Sequence, residues 1–304
     1  MEVLQKNSHL VSIVVLTLNQ TDVTCEFLES TRKFTYENYE LLVCDMGSDV
    51  DPTEIINSKK FPNTKVLRSE TNLGCAGGRN WGVRNAKGEY VFLVDNDTIV
   101  TPGLIEVLLE PFTENPGVVV ACPKIRFYHN PEVIQYAGFN PINPFTGRNS
   151  AVGSNQIDKG QHDQPNFTFS SHGCASMIKK EIFDKVGYFP EKFFFYYEEM
   201  DWSARVKKAG YKIYYQPKGL IFHKQSMTLG LQSPKKLYYM TRNRILYMRR
   251  NTRVSQLAVF VCFFTFVSVP KAVFTYLFKG QYQHVKSFMK GVLWNITTSK
   301  HSVV

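Results

Sequence analysis

No aspartate or glutamate occurs beyond Asp201. All 26 acids of the 304-residue chain lie within residues 1–201, beside 18 of its 36 Lys and Arg, a balance of −8. Residues 202–304 hold the other 18 cations and no anion, so the formal charge of +10 is the difference between a mildly acidic body and a strongly basic tail. Cysteine pairing signals are also lacking. The six residues Cys25, Cys44, Cys75, Cys122, Cys174 and Cys262 include no Cys-x-x-Cys, which argues against zinc and redox sites and fits small buried side chains in a reducing compartment. Met1 to Leu10 contains no apolar core of signal-peptide length. The N-terminus is therefore expected to stay cytosolic, and the Asn-x-Thr triplets at Asn19, Asn166 and Asn295 to stay unglycosylated. A Gly-x-Gly-x-x-Gly after the first apolar run is missing too, which argues against a dinucleotide site. With 43% apolar residues over this length, disorder, collagen and a disulfide-stapled mini-domain are excluded.

What is present alternates between β-branched runs and helical spacing. Strands are expected at Val11–Thr17, Glu40–Cys44, Lys65–Arg68, Tyr90–Val94 and Val118–Ala121, with helices at Thr21–Phe34, Pro52–Lys59, Cys75–Ala86 and Leu104–Phe112. This order predicts an α/β fold with a mostly parallel sheet, whose ligands bind beyond the carboxyl ends of the strands. From Cys122 to Ser171 periodicity fades into Pro, Asn and Gly, an excursion expected to hold short antiparallel pieces. Helical spacing returns at Lys180–Val186 and Glu198–Ala209, with a strand at Tyr211–Tyr215.

The strand ends are polar and acidic: Thr17-Leu18-Asn19, Asp45-Met46-Gly47-Ser48-Asp49 and Asp95-Asn96-Asp97. Converging carboxylates suit a divalent cation held by hard oxygens beside a nucleotide, although each run alone also reads as an ordinary turn or cap. Asn72 to Asn80 offers small residues and Arg79, which could bring backbone and a cation to a phosphate or simply allow tight helix-to-sheet packing. Glu198-Glu199-Met200-Asp201 opens a helix, where acids favour the dipole. The preceding Phe193-Phe194-Phe195-Tyr196-Tyr197 supplies an apolar wall that raises a carboxylate's proton affinity toward that of a general base. His223 follows Ile221-Phe222 and is a candidate metal ligand.

In this order over residues 11–251, these pieces resemble the inverting family 2 glycosyltransferases of GT-A fold, and among them the rhamnosyltransferase-like branch. Further matching pieces are Gly173-Cys174-Ala175-x-Met177-Ile178, Ala209-Gly210-Tyr211-Lys212-Ile213 and Tyr239 to Asn243. The resemblance implies that Thr17, Asn19 and Asp45 hold the donor nucleoside, with Asp95 near the ribose and Asn72, Arg79 and Asn96 also on the donor side. It implies that Asp97 and His223 bind Mg²⁺ or Mn²⁺, that Glu199 is the general base, and that Gly173, Cys174, Asp201 and Trp202 face the acceptor. Glu199 stands where the family often has aspartate, which leaves Asp201 as a second candidate to reach the acceptor. The implied reaction moves one sugar, dTDP-rhamnose being favoured as donor over UDP-sugars, to a glycan or lipid-linked acceptor in cell-surface polysaccharide synthesis. A processive synthase is disfavoured because no Gln-x-x-Arg-Trp occurs, and a nucleotidyltransferase because no Gly-rich basic loop follows the first strand. A catalytically inactive glycan-binding or scaffolding protein is the alternative outside enzymes.

A GT-A domain over 1–231, its acceptor side varying at 122–175, is thus expected to precede a helical region over 232–304. That region carries Arg242, Arg244, Arg249, Arg250 and Arg253, then the run Leu257–Phe278, whose lone charge is Lys271 beside Pro270. The preferred expectation is a monotopic segment on the cytoplasmic leaflet, with the arginines on anionic headgroups; a spanning helix and a homodimer interface are the alternatives. Truncation after Arg253 is then expected to free the protein from membranes with its catalytic residues in place. Nucleic acid is not an expected partner, since the basic residues adjoin an apolar run.

Overall fold

The computed structural model describes residues 9–225 and 233–301. Ten strands form one sheet: β1 (Val11–Thr17), β2 (Tyr39–Asp45), β3 (Thr64–Arg68), β4 (Tyr90–Asp95), β5 (Thr98–Val100), β6 (Val118–Phe127), β7 (Ile134–Tyr136), β8 (Asn166–Phe167), β9 (Ala175–Lys179) and β10 (Lys212–His223). Their order is β3-β2-β1-β4-β9-β6-β10-β5, with β7 beside β6 and β8 beside β10. β1 pairs in parallel with both β2 and β4, so successive crossovers leave it in opposite directions. This reversal opens a crevice beyond Thr17 and Asp95, the ends of β1 and β4. Apart from Ser12, Thr17 and Asp95 both strands are apolar, because helices cover both faces of the sheet.

The covering helices are α1 (Thr21–Thr31), α2 (Thr53–Ser58), α3 (Gly74–Asn85), α4 (Leu104–Glu114), α5 (Ile182–Val186) and α6 (Glu198–Lys208). Four strands depart from the sequence expectation. β6 runs six residues past the expected end at Ala121, into the stretch read as aperiodic, because Cys122 to Ile125 stay buried and pair with β10. β9 lies antiparallel between β4 and β6, where helical spacing had been expected to resume only at Lys180. β10 runs on from the expected Tyr211–Tyr215 strand to His223, through an irregularity between Gln216 and Leu220. The short β5 then pairs with that extension, setting Thr98 opposite His223 and bringing the Asp95–Asp97 turn to the histidine.

The tail forms α7 (Pro234–Asn251), α8 (Val254–Phe263), a π-helical turn at Phe264–Ser268, α9 (Val269–Phe278) and α10 (Tyr282–Thr297). Ser233 caps α7 by accepting from the Lys236 amide at 3.1 Å, and Pro234 stands at its first turn, where no amide proton is needed. The expected boundary at 231/232 lies outside the described residues. Pro270 does not break the apolar helix, because the wider π turn before it takes up the missing hydrogen bond. Val254–Phe278 is 25 residues long, and an 18-residue stretch within it has mean hydropathy 2.1.

Phe260, Phe264 and Phe288 pack with Phe193, Tyr197, Leu246 and Met248 in a second apolar cluster. Truncation after Arg253, expected to leave the candidate site in place, would remove three rings from a cluster that also holds Tyr197 and Met200 at the start of α6. The arginine expectation is also corrected. Arg242 and Arg244 are buried and bond to the carbonyls of Phe193 and Thr146, Arg249 bonds to Thr298, and Arg250 pairs with Asp201 at 2.8 Å. Of the five, Arg253 alone is exposed.

Candidate functional site

A cavity of about 350 Å³ occupies the crevice. Its floor is Thr17 from β1, the Asp95-Asn96-Asp97 turn and Arg79 of α3; its walls are Gly173-Cys174, Glu198-Glu199 and the rings of Phe194 and Tyr196. The five aromatics before α6 form a tight loop with Phe194, Tyr196 and Tyr197 all at positive φ. Such conformations need external support. Asn243 of α7 supplies it: buried completely, its Nδ2 faces the carbonyls of Phe193, Phe195 and Tyr196 at 2.9, 2.6 and 2.8 Å. The tail thereby holds the loop that delivers Glu198 and Glu199.

Arg79 is the electrostatic centre. Its Nη1 donates to Glu198 at 2.7 Å, and its Nη2 donates to Asp95 at 3.1 Å and to the Gly173 carbonyl at 2.7 Å. The phosphate role expected for Arg79 is corrected here, since its guanidinium is committed to protein acceptors. One cation thus serves a group of three carboxylates, and the one without a bond to it, Glu199, takes up a proton most readily. Burial, then the charge of Glu198, pushes the Glu199 pKa up to about 8. Glu199 Oε2 is covered and has no hydrogen-bond partner.

Asp97 Oδ1 lies 3.1 Å from His223 Nε2, and His223 Nδ1 faces Gln135 Oε1 at 2.9 Å. Gln135 accepts the Nδ1 proton and so aims Nε2 at the carboxylate. Burial works to lower the His223 pKa, but the hydrogen bond and charge of Asp97 outweigh it and raise it. Ligand atoms of Asp95, Cys174 and His223 lie within 4.8 Å of one another. Burial, with the charges of Asp95 and Asp97, holds the Cys174 thiol well above its ordinary pKa, and the donors beside it are carboxylates and an imidazole. Such a set fits Mn²⁺ or Mg²⁺.

The other expected residues divide. Asn96 lines the cavity and donates to Thr24 and Gln20 at 3.0 and 3.2 Å, while Asn72 caps the Gly74 amide at 2.8 Å. Asn19 and Asp45 stand outside the lining. Asp45 is fully buried and accepts from Ser48 Oγ and Arg68 Nη1 at 2.5 and 2.9 Å; Asn19 bonds to Ser48 and Asp49. Asp201 and Trp202 do not face the cavity, which corrects their acceptor assignment. Asp201 is held by Arg250 and Asn251, and Trp202 packs on Phe183 and Phe189 while donating to the Gly187 carbonyl. At the glycine-rich start of α3 the packing alternative prevails. A Cβ on Gly74 would come within 2.5 Å of the Phe194 carbonyl, and one on Gly78 within 2.6 Å of Met46 Sδ. The Cys75 amide bonds to Phe194 at 2.7 Å, so the helix start is occupied by protein.

Sequence reasoning missed His172 and Gln135, which lie in the aperiodic excursion or at its edge. Burial, then the charges of His223 and Arg79, lowers the His172 pKa to about 3; its neutral ring accepts from the Cys174 amide at 3.0 Å and stacks on Phe139 at 5.4 Å between centroids. Tyr239, stacked on Phe194, was noticed only as part of a motif.

The sequence of residues 12–187, more than half of the chain, matches the model for Glycosyl transferase family 2. Over 186 residues it is 31% identical to the glycosyltransferase GlyG of Streptococcus pneumoniae, covering 59% of this chain and 60% of that protein. The chain thus spans less than two thirds of that relative. Two solved structures share the fold: GalNAc-T7 with UDP, GalNAc and Mn²⁺ (TM-score 0.62, 17% identity, 83% of this chain and 54% of that one), and the mannosyltransferase PcManGT of Pyrobaculum calidifontis with GDP-Man and Mn²⁺ (TM-score 0.59, 13% identity, 95% and 87%).

Proposed function

Because the chain belongs to glycosyl transferase family 2, we propose that it moves a single sugar, with inversion, from a nucleoside-diphosphate donor to a hydroxyl of a glycan or lipid-linked acceptor. The observation that carries this is Glu199, a covered carboxylate with its pKa near 8, sharing one cavity with Asp97 and His223. An acceptor hydroxyl attacks weakly while protonated. Glu199 takes its proton as the oxygen approaches the anomeric carbon from the face opposite the leaving diphosphate, and a single displacement of this kind inverts the sugar. Phe194 and Tyr196 line the cavity beside the carboxylate, and Arg79 fixes Glu198 and Asp95 next to it by hydrogen bonds. A divalent cation on Asp97 and His223 would neutralise charge on the leaving diphosphate.

The donor is tested by thermal shift with Mn²⁺ against dTDP-rhamnose, the donor of the resembling branch, and against UDP- and GDP-sugars, the nucleotides that the two structural neighbours hold. A bound donor raises Tm by an amount set by its affinity. Asp97→Ala is expected to abolish the Mn²⁺-dependent part of the shift and to lower turnover at least about a hundredfold. A shift and turnover that ignore both Mn²⁺ and Asp97 would remove the metal from the proposal. No turnover with any donor would favour the inactive scaffold.

The proposed location is the cytoplasmic face of a membrane, peripheral or monotopic. Phe260 and Phe264 anchor the long apolar helix to the body, while Phe266, Phe274 and Phe278 project from it at 77, 71 and 85% exposure. Exposed Lys271 lies on the same helix, Lys279 in the turn that follows it, and exposed Lys286 and Lys290 on α10. These lysines with Arg253, rather than the engaged arginines, are the charges available to anionic headgroups. Phe266→Asp/Phe274→Asp, which touches neither core, is expected to release the full chain from vesicles of phosphatidylcholine with 30% phosphatidylglycerol. Unchanged flotation with these vesicles would contradict the monotopic reading.

A further inference from the structure

A second cavity, of about 550 Å³, shares only Phe139 with the first. Its walls come from residues 137–141 and 161–169 of the excursion, from the end of α6 and from the start of β10. No aspartate or glutamate lines it. Two cations do: Lys207 Nζ lies 3.9 Å from the centroid of the Phe169 ring, and Lys212 Nζ 5.1 Å from that of Phe167. Neither makes an ion pair among the described residues. Desolvation lowers the Lys207 pKa, and no carboxylate offsets it. The remaining polar lining is four side-chain amides, from Asn140, Gln161, Gln164 and Asn166, together with His162, Thr168, Tyr211 and Tyr215.

Aromatic faces and amides suit a pyranose, which presents C–H groups on one face and hydroxyls around its rim. The exposed ammonium groups beside those rings favour negative charge. A neutral sugar would leave both lysines to solvent, and a simple anion would leave the rings unused.

We infer that this cavity is a second saccharide site for an acidic sugar, stacked on Phe167 and Phe169 with its carboxylate or phosphate on Lys207 and Lys212. Because Phe139 lines both cavities, the sugar belongs to the acceptor chain, remote from the reacting hydroxyl. Only the word acceptor rests on the proposed transfer reaction; the binding of an acidic saccharide does not. A purely structural role for Lys207, at the carboxyl end of α6, would make its loss a matter of stability and not of ligand choice.

Calorimetric titration of the full chain separates these. The probes are hyaluronan tetrasaccharide (uronate), glucose 6-phosphate (phosphate) and chitotetraose (neutral). At least one acidic probe is expected to bind tenfold or more tightly than chitotetraose, and which one identifies the acid. Lys207→Gln/Lys212→Gln is expected to erase that preference, and Phe167→Ala to weaken binding further. The inference is overturned if chitotetraose binds as tightly as the acidic probes, if the preference survives the double substitution, or if no probe binds. The donor thermal shift, read on the same wild-type sample, reports separately on the transferase proposal.

Discussion

Glu199→Gln is expected to lower kcat by about 10²- to 10⁴-fold, the range for loss of a positioned general base, while donor binding in the Mn²⁺ thermal shift changes little. The variant keeps the size and one hydrogen-bonding oxygen of the side chain but cannot accept a proton. A second readout follows from the raised pKa. With the Glu199 pKa near 8, the wild-type rate should rise about tenfold per pH unit below that value and level off above it; the variant's residual rate should not follow this curve. Stability runs the other way. A carboxyl whose folded pKa is raised above its unfolded value contributes stability that is fully present below the unfolded pKa, near 4.5, and is lost as pH rises through the folded value. The wild type should therefore lose Tm relative to Glu199→Gln between about pH 5 and 8. A near-normal kcat in the variant, or parallel pH profiles, would remove Glu199 from the role of base.

Much of this arrangement is written locally. Val11–Thr17 and Tyr90–Val94 read as strands because a strand buried on both faces is a nearly continuous apolar run, and Asp95-Asn96-Asp97 reads as a site because carboxylates stand at the end of one. β9 (Ala175-Ser176-Met177-Ile178-Lys179) escapes because its five residues hold one β-branched side chain and no period-2 alternation, its strand character supplied by β4 and β6 on either side. Arg79 escapes for another reason. Its main partner Glu198 is 119 residues away, so a buried ion pair and a phosphate ligand look alike in sequence. The same holds for Asp201, the last acid of the chain, which joins the acidic body to the basic tail through Arg250, 49 residues on. The charge asymmetry is legible at once, but that its tail is bound into the aromatic loop before α6 by Asn243 is not.

Arg79→Met tests the reassigned arginine and is expected to act on the fold before it acts on the donor. The substitution keeps most of the side-chain length but leaves Glu198, 3% exposed, facing Asp95 and Glu199 with no cation. Breaking a buried pair by removing one partner costs about 3–5 kcal/mol, most of it the penalty of the charge left behind. At this chain length that corresponds to a fall in Tm on the order of 10 °C. The sign of its pH dependence follows from the same charges. Without the guanidinium, the neighbouring carboxyls have their folded pKa values pushed up, so the variant keeps stability at acid pH, where they are protonated, and loses it as pH rises. The Tm gap to wild type should therefore be wider at pH 8 than at pH 5. Arg79→Met/Glu198→Gln removes the orphaned charge together with its partner and should recover a large part of the loss, a coupling that a double-mutant cycle reads directly. If Arg79 served the donor phosphate instead, the single variant would melt like wild type, Glu198→Gln would rescue nothing, and the donor-induced shift would be what disappears.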